Sequence, residues 1–310
     1  MHTPHKPCHN LSGWILLDKP KFLGSTTAVN KIKRLFHVKK AGHAGTLDPL
    51  ATGLLPIALG EATKTIPYLM QGKKKYCFTI SWGSERSTDD LEGEITKTSS
   101  LRPSEAEILA LLPKFLGEIS QIPPAFSAIH INGKRAYSLA RKGENVQLAP
   151  RPIYIYSLDL VHSSSQESAA FEVVCGSGTY IRSLARDLGR ALGCLGHVTT
   201  LHRCAVAPFP ETNFLHLEDL QKLAEEKPDF CREAFVLPPQ APLHQLPSYS
   251  LTPQQAQHIQ RGQAILWMDT QPLGKSSSCA RQQAFVTYQG KLLALGQIEN
   301  GFFKPKRVLL

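Results

Sequence analysis

Asp48 is the residue best placed to do chemistry. It is the lone carboxylate of Ala41-Gly42-His43-Ala44-Gly45-Thr46-Leu47-Asp48-Pro49-Leu50-Ala51-Thr52-Gly53-Leu54-Leu55-Pro56, with no charged side chain within four positions. Gly42, Gly45 and Gly53 admit backbone conformations closed to other residues, while Leu47, Leu50, Leu54 and Leu55 are drawn inside. The stretch reads as a buried irregular loop, and a buried loop needs a reason. Asp48 before Pro49 matches a helix N-cap with proline at the first helical position, although Gly53 leaves such a helix about one turn. The other reading is a carboxylate held in a lined pocket for reaction.

A second chemically loaded stretch is Phe171 to Gly193, which reads as a strand, the glycine turn Gly176-Ser177-Gly178 and an amphipathic helix. Ile181, Leu184, Ala185, Leu188, Ala191 and Leu192 form its apolar stripe. Arg182, Arg186 and Arg190 recur every four residues as a basic ridge, which in the plain reading is a solvent face. Arg182 lies in the first turn, where the helix dipole disfavours a cation, so its placement asks for an anion. The glycine turn is a poor nucleotide-phosphate loop, because the third glycine of the dinucleotide pattern would fall at Ile181 and no P-loop lysine follows.

The elements that position these groups are legible in outline. Gly13 to Pro20 is an apolar run consistent with a buried strand. Thr26 or Thr27 then caps a helix with Val29, Ile32, Leu35 and Phe36 inward. The basic run Lys31, Lys33, Arg34, Lys39, Lys40 and His43 leads to the edge of the Asp48 loop and suits a phosphate backbone. Lys73 to Trp82 alternates, placing Tyr76, Phe78, Ile80 and Trp82 on one face of a strand. A capping box joins Ser104 and Glu107 at the start of a helix that Gly117 stops. Leu217, Leu220 and Leu223 mark a further helix, and Leu237 to Pro242 reads as a linker. Beyond Leu246 come a short Gln-rich helix, a Ser-rich loop at Ser276-Ser277-Ser278, and strands around 285–288 and 292–298.

The Gly42–Pro56 stretch, with Leu59-Gly60-Glu61-Ala62-Thr63-Lys64 after it, closely resembles the signature of the bacterial TruB-type tRNA pseudouridine-55 synthases. Gly178-Thr179-Tyr180-Ile181-Arg182 and Leu201 fall on further positions of that pattern. His202 stands where a basic residue is expected, and Ser87 where a Thr is. The resemblance implies an α+β fold: a mixed, mainly antiparallel sheet of pseudouridine-synthase type over 1–240, with flanking helices and an RNA-gripping insertion at about 120–150. A small PUA-like β-barrel over 246–310 follows.

It also implies the site. Asp48 is the essential acid, nucleophile or base toward the nucleotide, and Arg182 is its orienting partner. Tyr76 stacks on the target uracil, Tyr180 and Leu201 wall the pocket, and His43 fills the space left by the flipped base. Lys19, Lys64 and Arg141 complete the expected substrate contacts. The implied partner is the T arm of tRNA, met by a monomer. The competing reading is an RNA-binding or tRNA-folding protein without turnover, which loss of Asp48, Tyr76 or Arg182 would favour; all three are present.

Composition agrees with these bounds. The 310 residues are 42% hydrophobic, enough for a large domain and a small one, and basic residues exceed acidic ones to give a net charge of +10. The seven cysteines are scattered with no C-x-x-C pair, as expected of reduced thiols in a cytoplasmic protein. No apolar run is long enough for a membrane span. Isomerising a uridine changes no oxidation state and adds no group, so no cofactor or metal is expected.

Overall fold

The computed structural model describes residues 11–267 and 281–309, apart from residues 128, 132, 141, 145, 213 and 229. The chain opens with β1 (Gly13–Lys19), α1 (Ser25–Leu35), β2 (Ala41–His43) and β3 (Thr52–Leu59). A short α2 (Ile66–Met70) leads to β4 (Lys74–Trp82), and a hairpin of β5 (Ser84–Arg86) with β6 (Ile95–Thr98) precedes α3 (Glu105–Leu111) and β7 (Gly117–Gln121). The excursion that follows holds β8 (His130–Ile131), β9 (Lys134–Arg135) and α4 (Ala136–Ala140). Then come β10 (Arg151–Ser165), β11 (Ser168–Cys175), α5 (Ile181–Ala191), β12 (Gly196–Val206), β13 (Leu215–His216) and α6 (Leu217–Glu226). The rest contributes β14 (Ser248–Ser250), α7 (Pro253–Gln260), β15 (Ile265–Leu266), β16 (Gln282–Tyr288), β17 (Lys291–Glu299) and β18 (Phe302–Val308).

The main sheet runs β13-β1-β3-β12-β4-β11-β10-β7, with β2 on β3. Only β1–β13 and β12–β3 pair in parallel, so the sheet is mixed and mainly antiparallel. Strict alternation puts Tyr76, Phe78, Ile80 and Trp82 on the buried face of β4. Helix α5 covers that face with Ile181, Leu184, Ala185 and Leu188. Its Gly189 admits close approach: a Cβ there would fall 2.4 Å from the Gly196 nitrogen.

A second, five-stranded sheet, β14-β16-β17-β18-β15, forms the small C-terminal half-barrel expected of a PUA-like unit. It has its own core around Ile259, Val286, Ala294 and Phe303. Among the described residues no helix is long and apolar enough to cross a membrane.

Several local expectations change. Neither Thr26 nor Thr27 caps α1; both lie inside the helix, the N-cap is Gly24 without a side-chain bond, and Ser25 is turned to other use described below. The capping box of Ser104 with Glu107 is present, but α3 ends at Leu111 and passes into a 3-10 turn, so Gly117 instead opens β7 at φ +79°. The segment read as a linker is strapped to the sheet. Leu237 exchanges backbone bonds with Trp14 at 2.8 Å, and Pro239 accepts from the Trp14 indole at 3.3 Å. Ser276 to Ser278 lie outside the described residues.

Candidate active site

The Asp48 loop is built by main-chain satisfaction rather than by a helix. Ser25 Oγ donates to the Leu47 carbonyl at 2.8 Å and accepts from the Leu47 N–H at 2.9 Å. The Ala51 N–H closes a turn on the Asp48 carbonyl at 3.1 Å, after which the chain enters β3. The N-cap reading therefore fails, because no helix follows Pro49. Gly53, at φ +98°, lets β3 pass against β12: a Cβ there would sit 2.4 Å from the Arg203 carbonyl oxygen. Lys19, fully buried, donates to the carbonyls of Pro20 (2.9 Å), Leu23 (2.8 Å) and Pro49 (3.3 Å), which uses its three protons to brace the loop from beneath.

Arg182 meets Asp48 from the first turn of α5. Its Nη2 donates to Asp48 Oδ1 at 3.0 Å, while Nε lies 2.9 Å from Oδ2. The Nε contact is off the N–H axis and counts as an ion pair, leaving Nε without a hydrogen bond. The guanidinium is held by the carbonyls of Thr88 (Nη1, 2.9 Å) and Phe126 (Nη2, 3.0 Å), and Asp90 stands 3.6 Å from Nε. The anion that the helix dipole called for is thus supplied. The Arg182 side chain is 6% exposed and that of Asp48 34%, so the cation is enclosed and the acid remains reachable.

Tyr76 lies opposite Arg203 in the β4–β12 register, and Leu201 opposite Phe78. Burial pushes the Tyr76 phenol above its ordinary value, with the charge of Arg203 and a hydrogen bond from it opposing. Arg203, almost wholly buried, also donates from Nε to the Leu54 carbonyl at 2.7 Å and from Nη2 to the Gly45 carbonyl at 3.1 Å. One guanidinium therefore ties the tyrosine to both flanks of the Asp48 loop. Reading for motifs misses it; the available signal is a cation at an inward position of a strand, which requires carbonyl or anionic partners.

The remaining residues divide. His43, half-buried on β2, has its imidazole value lowered by burial and by Arg203, and its Nδ1 has no protein partner. Burial likewise lowers Lys19 and Lys74 to about 8 each, in Lys19 against the pull of Asp48. The Tyr180 peptide is clamped by Gln121, which accepts from its N–H at 2.9 Å and donates to its carbonyl at 3.1 Å. Burial raises the Tyr180 phenol. Leu201 is partly buried and packs on the same core as Tyr76. The structure thus gathers Arg182, Tyr76, Tyr180 and Lys19 around Asp48, with His43 near Arg203 and Leu201 of β12 opposite Phe78.

Lys64 is elsewhere: it pairs with Glu61, donates to the Val308 carbonyl at 2.7 Å, and lines a cleft against the C-terminal sheet with Tyr68, Gln71, Lys306 and Arg307. Arg141 lies outside the described residues.

The basic ridge of α5 faces solvent only at its end, where the Arg190 side chain is half exposed; Arg182 and Arg186 are buried. Arg186 is buried, with Nη1 on Asp89 Oδ2 at 3.0 Å and Nη2 on the Ile122 carbonyl at 2.8 Å, and Arg190 pairs with the buried Glu85. β5 and the turn after it supply the carboxylates, Glu85 and Asp89, that pair with Arg190 and Arg186. Burial drives Asp89 up to about 6 against the pull of Arg186 and Arg182. Among the described residues no cluster of three or more His, Cys, Asp or Glu could hold a metal ion.

The sequence model described as TruB family pseudouridylate synthase (N terminal domain) matches residues 33–181, and that of the tRNA pseudouridylate synthase B C-terminal domain matches 182–243. The chain is 52% identical to tRNA pseudouridine synthase B of Bartonella tribocorum over 96% of each chain. It is 50% identical to that of Rhizobium meliloti over 99% of each. The fold matches that in the crystal structure of a Cbf5-Nop10-Gar1 complex with a TM-score of 0.71 at 23% identity, over 96% of this chain and 85% of that one. With family models covering most of its length and relatives half-identical end to end, the chain belongs to the TruB family of pseudouridylate synthases.

Proposed function

We propose that this protein isomerises a uridine in the T-arm loop of tRNA to pseudouridine, working as a cytoplasmic monomer. The observation that carries this reading is an open carboxylate, Asp48, held at two points by a buried guanidinium and flanked by a buried tyrosine. An RNA binder without turnover has no use for an acid oriented this way. The relatives named above, called tRNA pseudouridine synthases, supply the substrate class.

The reaction breaks the bond from uracil N1 to the sugar, turns the base, and rejoins it through C5. Stoichiometry calls for no redox or group-carrying cofactor. The site must supply an oriented carboxylate, a platform for the loose base and exclusion of water. Asp48 acts on the nucleotide as nucleophile or base, with Arg182 fixing its direction. Tyr76 stacks on the uracil, and Tyr180 and Leu201 wall the pocket that receives it. His43, whose value is lowered so that the neutral ring prevails, enters the gap in the RNA loop. Arg203 stays on the protein side, fixing Tyr76 and the loop relative to each other. The basic run from Lys31 to His43 and the excursion carrying α4 hold the RNA backbone.

Pseudouridine mapping on a tRNA transcript tests the reading. Wild-type protein is expected to convert a T-arm uridine and the Asp48→Asn variant to leave it unchanged; native-rate conversion by that variant would refute the assignment.

A further inference from the structure

The turn between β1 and α1 carries a residue that packing does not explain. Phe22 adopts φ +65°, the left-handed region in which a bulky side chain is an outlier. Its ring gains no burial in return: at 74% exposure it is the most exposed of the large apolar side chains among the described residues. A strained backbone that offers an aromatic ring to solvent calls for a functional reason.

The turn is also joined to the site. The Phe22 N–H donates to the Pro49 carbonyl at 2.7 Å, and Lys19 clasps the carbonyls of Pro20, Leu23 and Pro49. The backbone beneath the ring and the residue that follows Asp48 therefore belong to one braced unit. Lys21 lies over one face of the ring, its Nζ 5.1 Å from the centroid, and brings a positive charge to the same spot.

Resting on the function proposed above, we infer that Phe22 is a stacking platform for an unpaired RNA base next to the uridine turned toward Asp48, with Lys21 supplying positive charge beside it. An aromatic face with an adjoining cation is the arrangement that takes an unpaired nucleobase without regard to its identity. A protein partner needs more apolar area than one ring, and the net charge of +10 points to a polyanion.

The test uses a T-arm stem–loop transcript with wild type, Phe22→Gly, Phe22→Asn and Phe22→Trp. Glycine and asparagine both suit the left-handed backbone, so removing the ring leaves the turn unstrained. The expected result is a rise of about tenfold in Kd and KM for the Gly and Asn variants, with kcat changed less than about twofold. Phe22→Trp keeps wild-type binding, and its fluorescence above that of Trp14, Trp82 and Trp267 is quenched as RNA is added. Wild-type binding and KM in both ring-less variants, or a tryptophan signal indifferent to RNA, would overturn the inference while leaving the function standing. A wild-type protein that neither binds nor converts the transcript removes the functional reading, and the inference with it.

Discussion

Arg182 and Arg186 stand one turn apart on α5, both buried and both facing carboxylates, yet the two pairs serve different ends. In the Arg186–Asp89 pair each side chain is 9% exposed, and burial drives Asp89 up to about 6. In the Arg182–Asp48 pair only the cation is enclosed; a third of the acid remains open. Three further groups, Tyr76, Tyr180 and Lys19, feel the Asp48 charge. The same ion-pair chemistry is structural when both partners are sealed, and it yields an oriented reagent when the anion is left at a surface.

The largest effect should come from breaking the open pair. Arg182→Met removes the two-point hold on Asp48, and turnover on a tRNA transcript is expected to fall about 1,000-fold; Arg182→Lys, which keeps the charge but loses the fork, should fall about 100-fold. Equal activity in the two variants would show that charge alone matters.

The sealed pair should fail differently. Arg186→Met is expected to cost about 3 kcal/mol at pH 7 in denaturant unfolding, with turnover per folded molecule kept within about threefold. Burial already places Asp89 above its ordinary 3.8, so the native state holds a proton that the unfolded chain releases between that value and about 6. Ionised Asp89 without Arg186 costs more as pH rises above about 6, so the deficit should be larger at pH 7 than at pH 4.5. A deficit that grows on acidification would contradict this account of Asp89.

A smaller effect tests the brace beneath the loop. Lys19 loses its proton at about 8 in the folded protein against 10.5 in the unfolded chain. Between those values the unfolded state binds the extra proton, so stability rises with pH. Relative to Lys19→Met, the wild type should gain about 1–2 kcal/mol between pH 8 and pH 10, read from melting curves at each pH.

Much of this architecture is legible from residues alone, for stated reasons. β4 shows itself because one buried and one half-buried face impose a period of two, and the capping box of α3 because two side chains must answer two orphan N–H groups. The first-turn position of Arg182 demands an anion, although only the resemblance points to Asp48. The pairing of the ridge escapes sequence reading because Glu85 and Asp89 lie about a hundred positions upstream of their arginines, and a basic ridge looks the same wet or paired. The short edge strands β14 and β15 carry too few residues to set a period, and β18, with Lys304, Pro305, Lys306 and Arg307, hides its inward Phe303. Arg203 escapes because its partners are backbone carbonyls, which no side-chain pattern reveals.

The most direct test of the central claim is single-turnover conversion by Asp48→Asn at saturating transcript, with RNA binding measured in the same preparation. The account predicts binding within about threefold of wild type and conversion slowed at least about 1,000-fold. Conversion at the native rate by a folded, RNA-bound Asp48→Asn protein would contradict it.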